Sequence, residues 1–181
     1  MRYISILLLV WMLVFQTGQD IYVCKNAKIS LFSKAPIEDI EAISNKGASV
    51  FNATTGELAF NVQIRSFQFP KSLMQDHFNT EYMDSDKFPA AGFKGKIQEK
   101  IDVTKDGNTA ITVVGDLTVH GVTKARTIPG MVTIKSGIIT MTAEFMVKCA
   151  DHNIHIPTIV FHNIAETIKM NVAATYNPYK K

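Results

Sequence analysis

The side chains able to do chemistry are few, and they are scattered. Five histidines occur, His77, His120, His152, His155 and His162. His152 and His155 stand three apart, with Asp151 beside them and His162 a few residues on. Those are metal-ligand types, but a site needs them to converge, and loop spacing without a tight two-ligand helix motif does not require it. No metal site is assigned. Asp84 and Asp86 could act as an acid pair, yet Asp-Ser-Asp between two periodic stretches is the choice of a turn. Serine, histidine and aspartate are all present, but the chain has no G-x-S-x-G elbow, no G-x-G-x-x-G and no phosphate-binding loop. No catalytic residue is assigned and no cofactor is expected. Cys24 and Cys149 admit one disulfide in an oxidising compartment. Cys149 also falls in phase with Met141, Ala143, Phe145 and Val147, where an unpaired cysteine acts as a small apolar side chain. Both readings stay open.

What must position these groups is a chain of 181 residues, 46% hydrophobic and 19% charged, with a formal net charge of +3. That is the composition of one globular domain with a sizeable core. The positive charges are scattered, so no nucleic-acid partner is expected. Arg2 followed by the apolar run Ile4–Phe15 and the polar Gln16-Thr17-Gly18-Gln19 has the form of a signal peptide. The run is short for a membrane span, which argues against an uncleaved anchor. The expected organisation is therefore a signal peptide at 1–19 and one β-domain at 20–181, with any membrane contact transient.

Strand periodicity dominates the rest. Lys25–Ser33 alternates weakly. Pro36–Ser44 could form a helical turn or an irregular crossing, and Ala48–Phe51 a short strand. Leu58, Phe60, Val62 and Ile64 alternate with polar or small neighbours. The phase then slips to Phe67 and Phe69, which predicts a bulge near Arg65-Ser66. Pro70 suits a helix start, and Leu73, Met74, His77 and Phe78 share one face of a helix over Lys71–Phe78, which Asn79 can end. Phe93, Ile97, Ile101 and Val103 continue the alternation, Lys105–Asn108 makes a hairpin turn, and Ile111, Val113, Leu117 and Val119 return. Gly121 opens a connection to a strand at Lys124–Lys135, where Pro129-Gly130 favours an edge or a bulge. Ile139–Cys149 and Ile168–Ala174 close the series around a loop at Asp151–His162.

About eight strands in a meander with one inserted helix predict an all-β antiparallel sandwich or barrel. The phase slip and the inward Gly95 and Gly115 favour the barrel. Its interior candidates are Phe60, Val62, Phe67, Phe69, Leu73, Met74, Phe78, Met83, Phe93, Val113, Leu117, Phe145 and Val147, with His77 at the mouth. These could fill a solid core or line a cavity. The small inward Gly95, Gly115 and Ala143 favour a cavity, and methionines suit a wall that adapts to its guest.

Three blocks then show a resemblance. They are SFQFPKSLMQDHFNTEYMDSDKFPAAGFKGKI at 66–97, GDLTVHGVTKARTIPG at 115–130 and IPTIVFHNIAETIKMNVAA at 156–174. In order and content the chain resembles the YceI-like family, in the variant found in secreted proteins of Bacteroidetes-type bacteria. Cys24, Cys149 and Phe161-His162 depart from that pattern. The resemblance implies an eight-stranded lipocalin-like barrel with an apolar lumen capped by one or two short helices. It also implies a periplasmic or secreted, non-catalytic binder of a polyisoprenoid or similar long lipid. Beside this stand two other readings: a structural or interaction module with a solidly packed barrel, and, less favoured, a metal-dependent enzyme using the histidine loop.

Overall fold

The computed structural model describes residues 21–34, 39–156 and 165–179. The expectations placed on residues 1–19, Pro36, Ile37, Pro157 and Phe161-His162 lie outside the described residues. Among the described residues, eight antiparallel strands close into a barrel in sequence order. They are β1 (Ile21–Ser33), β2 (Ile40–Asn52), β3 (Glu57–Gln63), β4 (Ala90–Ile97), β5 (Gly107–Val119), β6 (Val122–Lys135), β7 (Ile138–Lys148) and β8 (Thr167–Pro178). β8 returns to pair with β1, so no sheet edge is left open. One short helix, α1 (Ser72–His77), lies between β3 and β4.

Several local expectations change in the folded chain. Ile40 opens strand β2 rather than belonging to a helical turn. The inward row of β2 is Ala42, Ser44, Gly47, Ser49 and Phe51, while Ile43 and Val50 point out, so its hydropathy pattern is inverted. Space explains this choice. A Cβ on Gly47 would lie 2.5 Å from Ile29 Cδ1 and 2.9 Å from Ala27 Cβ. The inward hydroxyls are bonded: Ser49 donates to the Ala59 carbonyl at 2.8 Å and accepts from the Tyr176 hydroxyl at 2.7 Å.

The phase slip after Val62 is not a bulge within a strand. β3 stops at Gln63, a single 3-10 turn covers Ile64–Ser66, and Gln68 then pairs with Ile43 in an isolated bridge. The Ser66 hydroxyl ties the turn to the Gln63 carbonyl at 2.5 Å. Asn79 does not end the helix, because α1 widens into a π-type turn over Phe78–Tyr82 that closes with the Met83 amide on the Phe78 carbonyl at 2.9 Å. Pro70 lies just before the helix, outside its first turn. β4 ends at Ile97, so Ile101 and Val103 belong to a longer connection into β5.

His120-Gly121 joins β5 to β6 directly, with both residues at positive φ (50° and 71°), the two-residue turn whose twist matches paired strands. Ser136-Gly137 repeats it between β6 and β7 (50° and 76°). β6 runs unbroken through Pro129, but its ladder with β7 begins only at Gly130. A residue without an N–H thus stands where that ladder stops. A 3-10 turn at Cys149–His152, which takes in the end of the expected strand and the first two residues of the expected loop, packs against β6 beyond that point. The buried His152 ring donates from Nδ1 to the Val122 carbonyl at 3.0 Å, and Arg126 reaches Asp151 at 3.3 Å.

Candidate ligand-binding site

The interior changes character part-way along the strands. On β8 the inward row begins with Ile168, Met170 and Val172, which line a cavity. It continues with Ala174 and Tyr176, which are packed solid. On β7, Val147, Phe145 and Ala143 line the cavity, and Met141 and Ile139 do not. The same change falls between Val113 and Ile111 on β5, and between Ile29 and Ala27 on β1. At the packed end Phe51 lies between Tyr22, tilted against it, and Tyr176, edge-on to it, with ring centroids 6.3 and 6.2 Å away. At the other end is a cavity of about 560 Å³.

α1 and the turn after it form one wall. Met74, Phe78 and Tyr82, spaced by four, present one face to the cavity, with His77 and Met83 beside them. Phe78 fixes that wall to the barrel through two rings, Phe67 at 5.8 Å and Phe69 at 4.9 Å between centroids. No residue of α1 itself is fully buried.

Of the side chains named from the sequence, Phe60, Val62, Phe67, Phe69, Met74, Phe78, Met83, Phe93, Val113, Leu117, Phe145 and Val147 line the cavity, as does His77. Leu73 does not. It lies about a quarter-turn from the Met74–Phe78 row and is 64% exposed, so it belongs to the outer surface. The alternation had more to offer. Ile29 and Leu31 on β1, Leu58 on β3, and Ile168, Met170 and Val172 on β8 share the inward phase and also line the wall. The two glycines credited with making space do something else. Gly95 and Gly115 face each other across β4 and β5, and a Cβ on Gly95 would lie 2.7 Å from the Phe93 ring. They let two backbones and a ring come close, whereas Ala143 does line the cavity.

Among the described residues, no Lys, Arg, Asp or Glu lines the cavity, and its polar side chains are Ser33, His77, Tyr82 and Cys149. Ser33 is engaged by the Ala165 amide at 2.9 Å. His77 Nε2 stands 3.8 Å from Glu81 at the rim. Burial, and then the Glu81 carboxylate, raise the Tyr82 phenol above its ordinary value, so it remains a hydroxyl donor. Burial pushes the Cys149 thiol up to about 11, with a further contribution from Glu166. Cys24 and Cys149 are both buried and free, Cys24 in the core outside the cavity and Cys149 on its wall.

The remaining histidines are separated. His120 donates to the His152 carbonyl at 3.1 Å and sits 4.5 Å from the Phe88 ring. His152 is fully buried, and His155 is exposed. Among the described residues no group of three His, Cys, Asp or Glu side chains could hold a metal ion. The arrangement can enclose an apolar chain, with the few polar side chains at its edges.

The barrel is similar to several solved structures. One is a polyisoprenoid binding domain from Saccharophagus degradans implicated in plant cell wall breakdown, at 13% identity and a TM-score of 0.74, covering 87% of this chain and 98% of that one. A second is Burkholderia cenocepacia BcnA, at 18% identity and a TM-score of 0.70, covering 82% and 95%. A third is a Campylobacter jejuni YCEI protein, at 19% identity and a TM-score of 0.62, covering 80% and 88%. No curated protein sequence matches the chain. The model of the YceI-like domain matches residues 32–176, which takes in β2 to β7, α1 and most of β8, and the chain therefore belongs to the YceI-like domain family.

Proposed function

We propose that this chain is a non-catalytic binding protein that holds a long hydrophobic or amphiphilic molecule, a polyisoprenoid or similar lipid, in the barrel lumen. The observation that carries the reading is the cavity itself: about 560 Å³, walled by aliphatic, aromatic and methionine side chains, and without a charged side chain among the described lining residues. Such a wall retains a guest by area, at about 0.8 kcal/mol for each methylene removed from water. The polar end of the guest would rest at His77 and Tyr82. The likeness to a polyisoprenoid binding domain supports the ligand class. The narrower likeness to the Bacteroidetes-type secreted variant draws no support from the relatives named above. With residues 1–19 read as a signal peptide, the protein would act in the periplasm or outside the cell.

Native mass spectrometry of the protein from its own host, followed by lipid extraction of the same sample, tests this. A discrete adduct that extracts as an isoprenoid or fatty chain, on a polypeptide lacking about the first 19 residues, is the expected result. A bare mass, with no uptake of added polyprenols, would sink the reading.

A further inference from the structure

The lumen is closed from below, and the closure is built into the sequence. Most inward positions are apolar from one end of the barrel to the other, Ser33, Ser44 and Ser49 excepted, but only the part under α1 is hollow. Met141, Ile111, Val132 and Ala174 end the cavity, and the Phe51–Tyr176 ring pair fills the space beneath them. Tyr176 is 2% exposed and its hydroxyl bonds to Ser49, which itself bonds to the β3 backbone. The fill is therefore fixed to the wall at a buried polar point. A guest that pushed past it would leave that hydrogen bond unmade in an apolar surround.

We infer that this packed layer sets the length of chain the protein accepts, with Met141 as the residue at the boundary. The inference rests on the lumen being a lipid site. At about 30 Å³ for a water-sized group, a cavity of about 560 Å³ holds roughly 20 such groups, and a methylene is of that size. An apolar tail of up to about 20 carbons is then enclosed, and any further length stays outside the mouth, where it adds nothing to retention. A cavity open through the barrel would show no such limit.

The test is a displacement titration of the delipidated full chain with straight isoprenoid alcohols of about 10, 15, 20 and 40 carbons. Within the enclosed range affinity should rise by up to about fourfold for each added methylene equivalent. It should then level off near 20 carbons. Met141→Ala removes part of the floor and should move the break to longer chains. Ala143→Phe fills space above the floor and should move it to shorter ones, so the pair reads in both directions even if one variant folds poorly. Affinity that climbs unbroken to the longest chain, or a break that neither variant moves, overturns the floor while leaving the lipid site intact. No binding of any chain overturns both.

Discussion

Replacing Phe78 by alanine should loosen the helical wall of the lumen and leave the barrel alone. The Phe78 ring meets Phe67 and Phe69 at centroid distances of 5.8 and 4.9 Å, and α1 has no fully buried residue of its own. Each ring pair is worth about 0.5–1.5 kcal/mol beyond its area. Losing both removes about 1–3 kcal/mol from the docking of residues 72–83. Every 1.4 kcal/mol is tenfold in an equilibrium, so local opening should become roughly 5- to 150-fold more frequent. The strand ladders do not involve Phe78, and β5–β8 should keep their protection. Native-state hydrogen exchange read amide by amide measures both at once, and the release rate of a bound lipophilic dye should rise by a similar factor. Acceleration spread evenly over the barrel, or none in residues 72–83, would refute the argument that these rings latch the helix.

Gly115→Ala should be far more damaging than Gly137→Ala. A Cβ at Gly115 would overlap the Lys94 carbonyl and Gly95 Cα, both backbone, and cost about 3 kcal/mol or more. At Gly137 the space is open and only the positive φ is penalised, at about 1–2 kcal/mol. Denaturant melts of the two variants decide this, and equal losses would argue against the close β4–β5 approach. Cys149 should resist alkylation near neutral pH, because burial holds its thiol protonated up to about 11. The folded state binds that proton more tightly than the unfolded chain, whose ordinary value is 9.0, so this contribution is complete below pH 9 and is lost as pH rises through 11. A Cys149→Ala variant should show a flatter alkaline melt, and an unchanged slope would contradict the assignment.

Most of the barrel was legible where hydropathy and space ask for the same residue. On β7, Ile139, Met141, Ala143, Phe145 and Val147 alternate with Thr140, Thr142, Glu144, Met146 and Lys148, of which only Met146 is apolar, and both the strand and its inward face follow. β2 was hidden because the two demands conflict there: at Gly47 even a Cβ would meet Ile29 and Ala27, and the apolar bulk of Ile43 and Val50 went outward. The turn at Ile64–Ser66 leaves the same trace in sequence as a bulge, a one-step change of phase. Most of the lumen wall was legible for the reason that β7 was. Its extent was not, since Val172 and Ala174 belong to one alternating row and the hollow ends where Phe51 of β2 packs against Tyr176, further along that same row. Leu73 was misplaced because spacings of three and four mark a stripe wider than the row that touches the barrel.

Seven of the eight ladders join strands that are consecutive in the chain, and the eighth joins its two outermost strands, β1 and β8. Hairpins form by short-range search, whereas the last pairing must bring Tyr22–Phe32 against Lys169–Pro178 across nearly the full sequence. Before that event β1 and β8 both carry bare edges, the arrangement most prone to stray pairing with another copy. Until the same moment the staves contributed by β8, Ile168, Met170 and Val172, are not joined to those of β1, Ile29 and Leu31. A half-assembled barrel is thus a curved sheet with a greasy trough, and containment arrives in one step with completion of the fold. A guest lying in the trough would gain further contacts on closure, lowering the free energy of the closed form more than that of the open one, and so act as a template for its own enclosure.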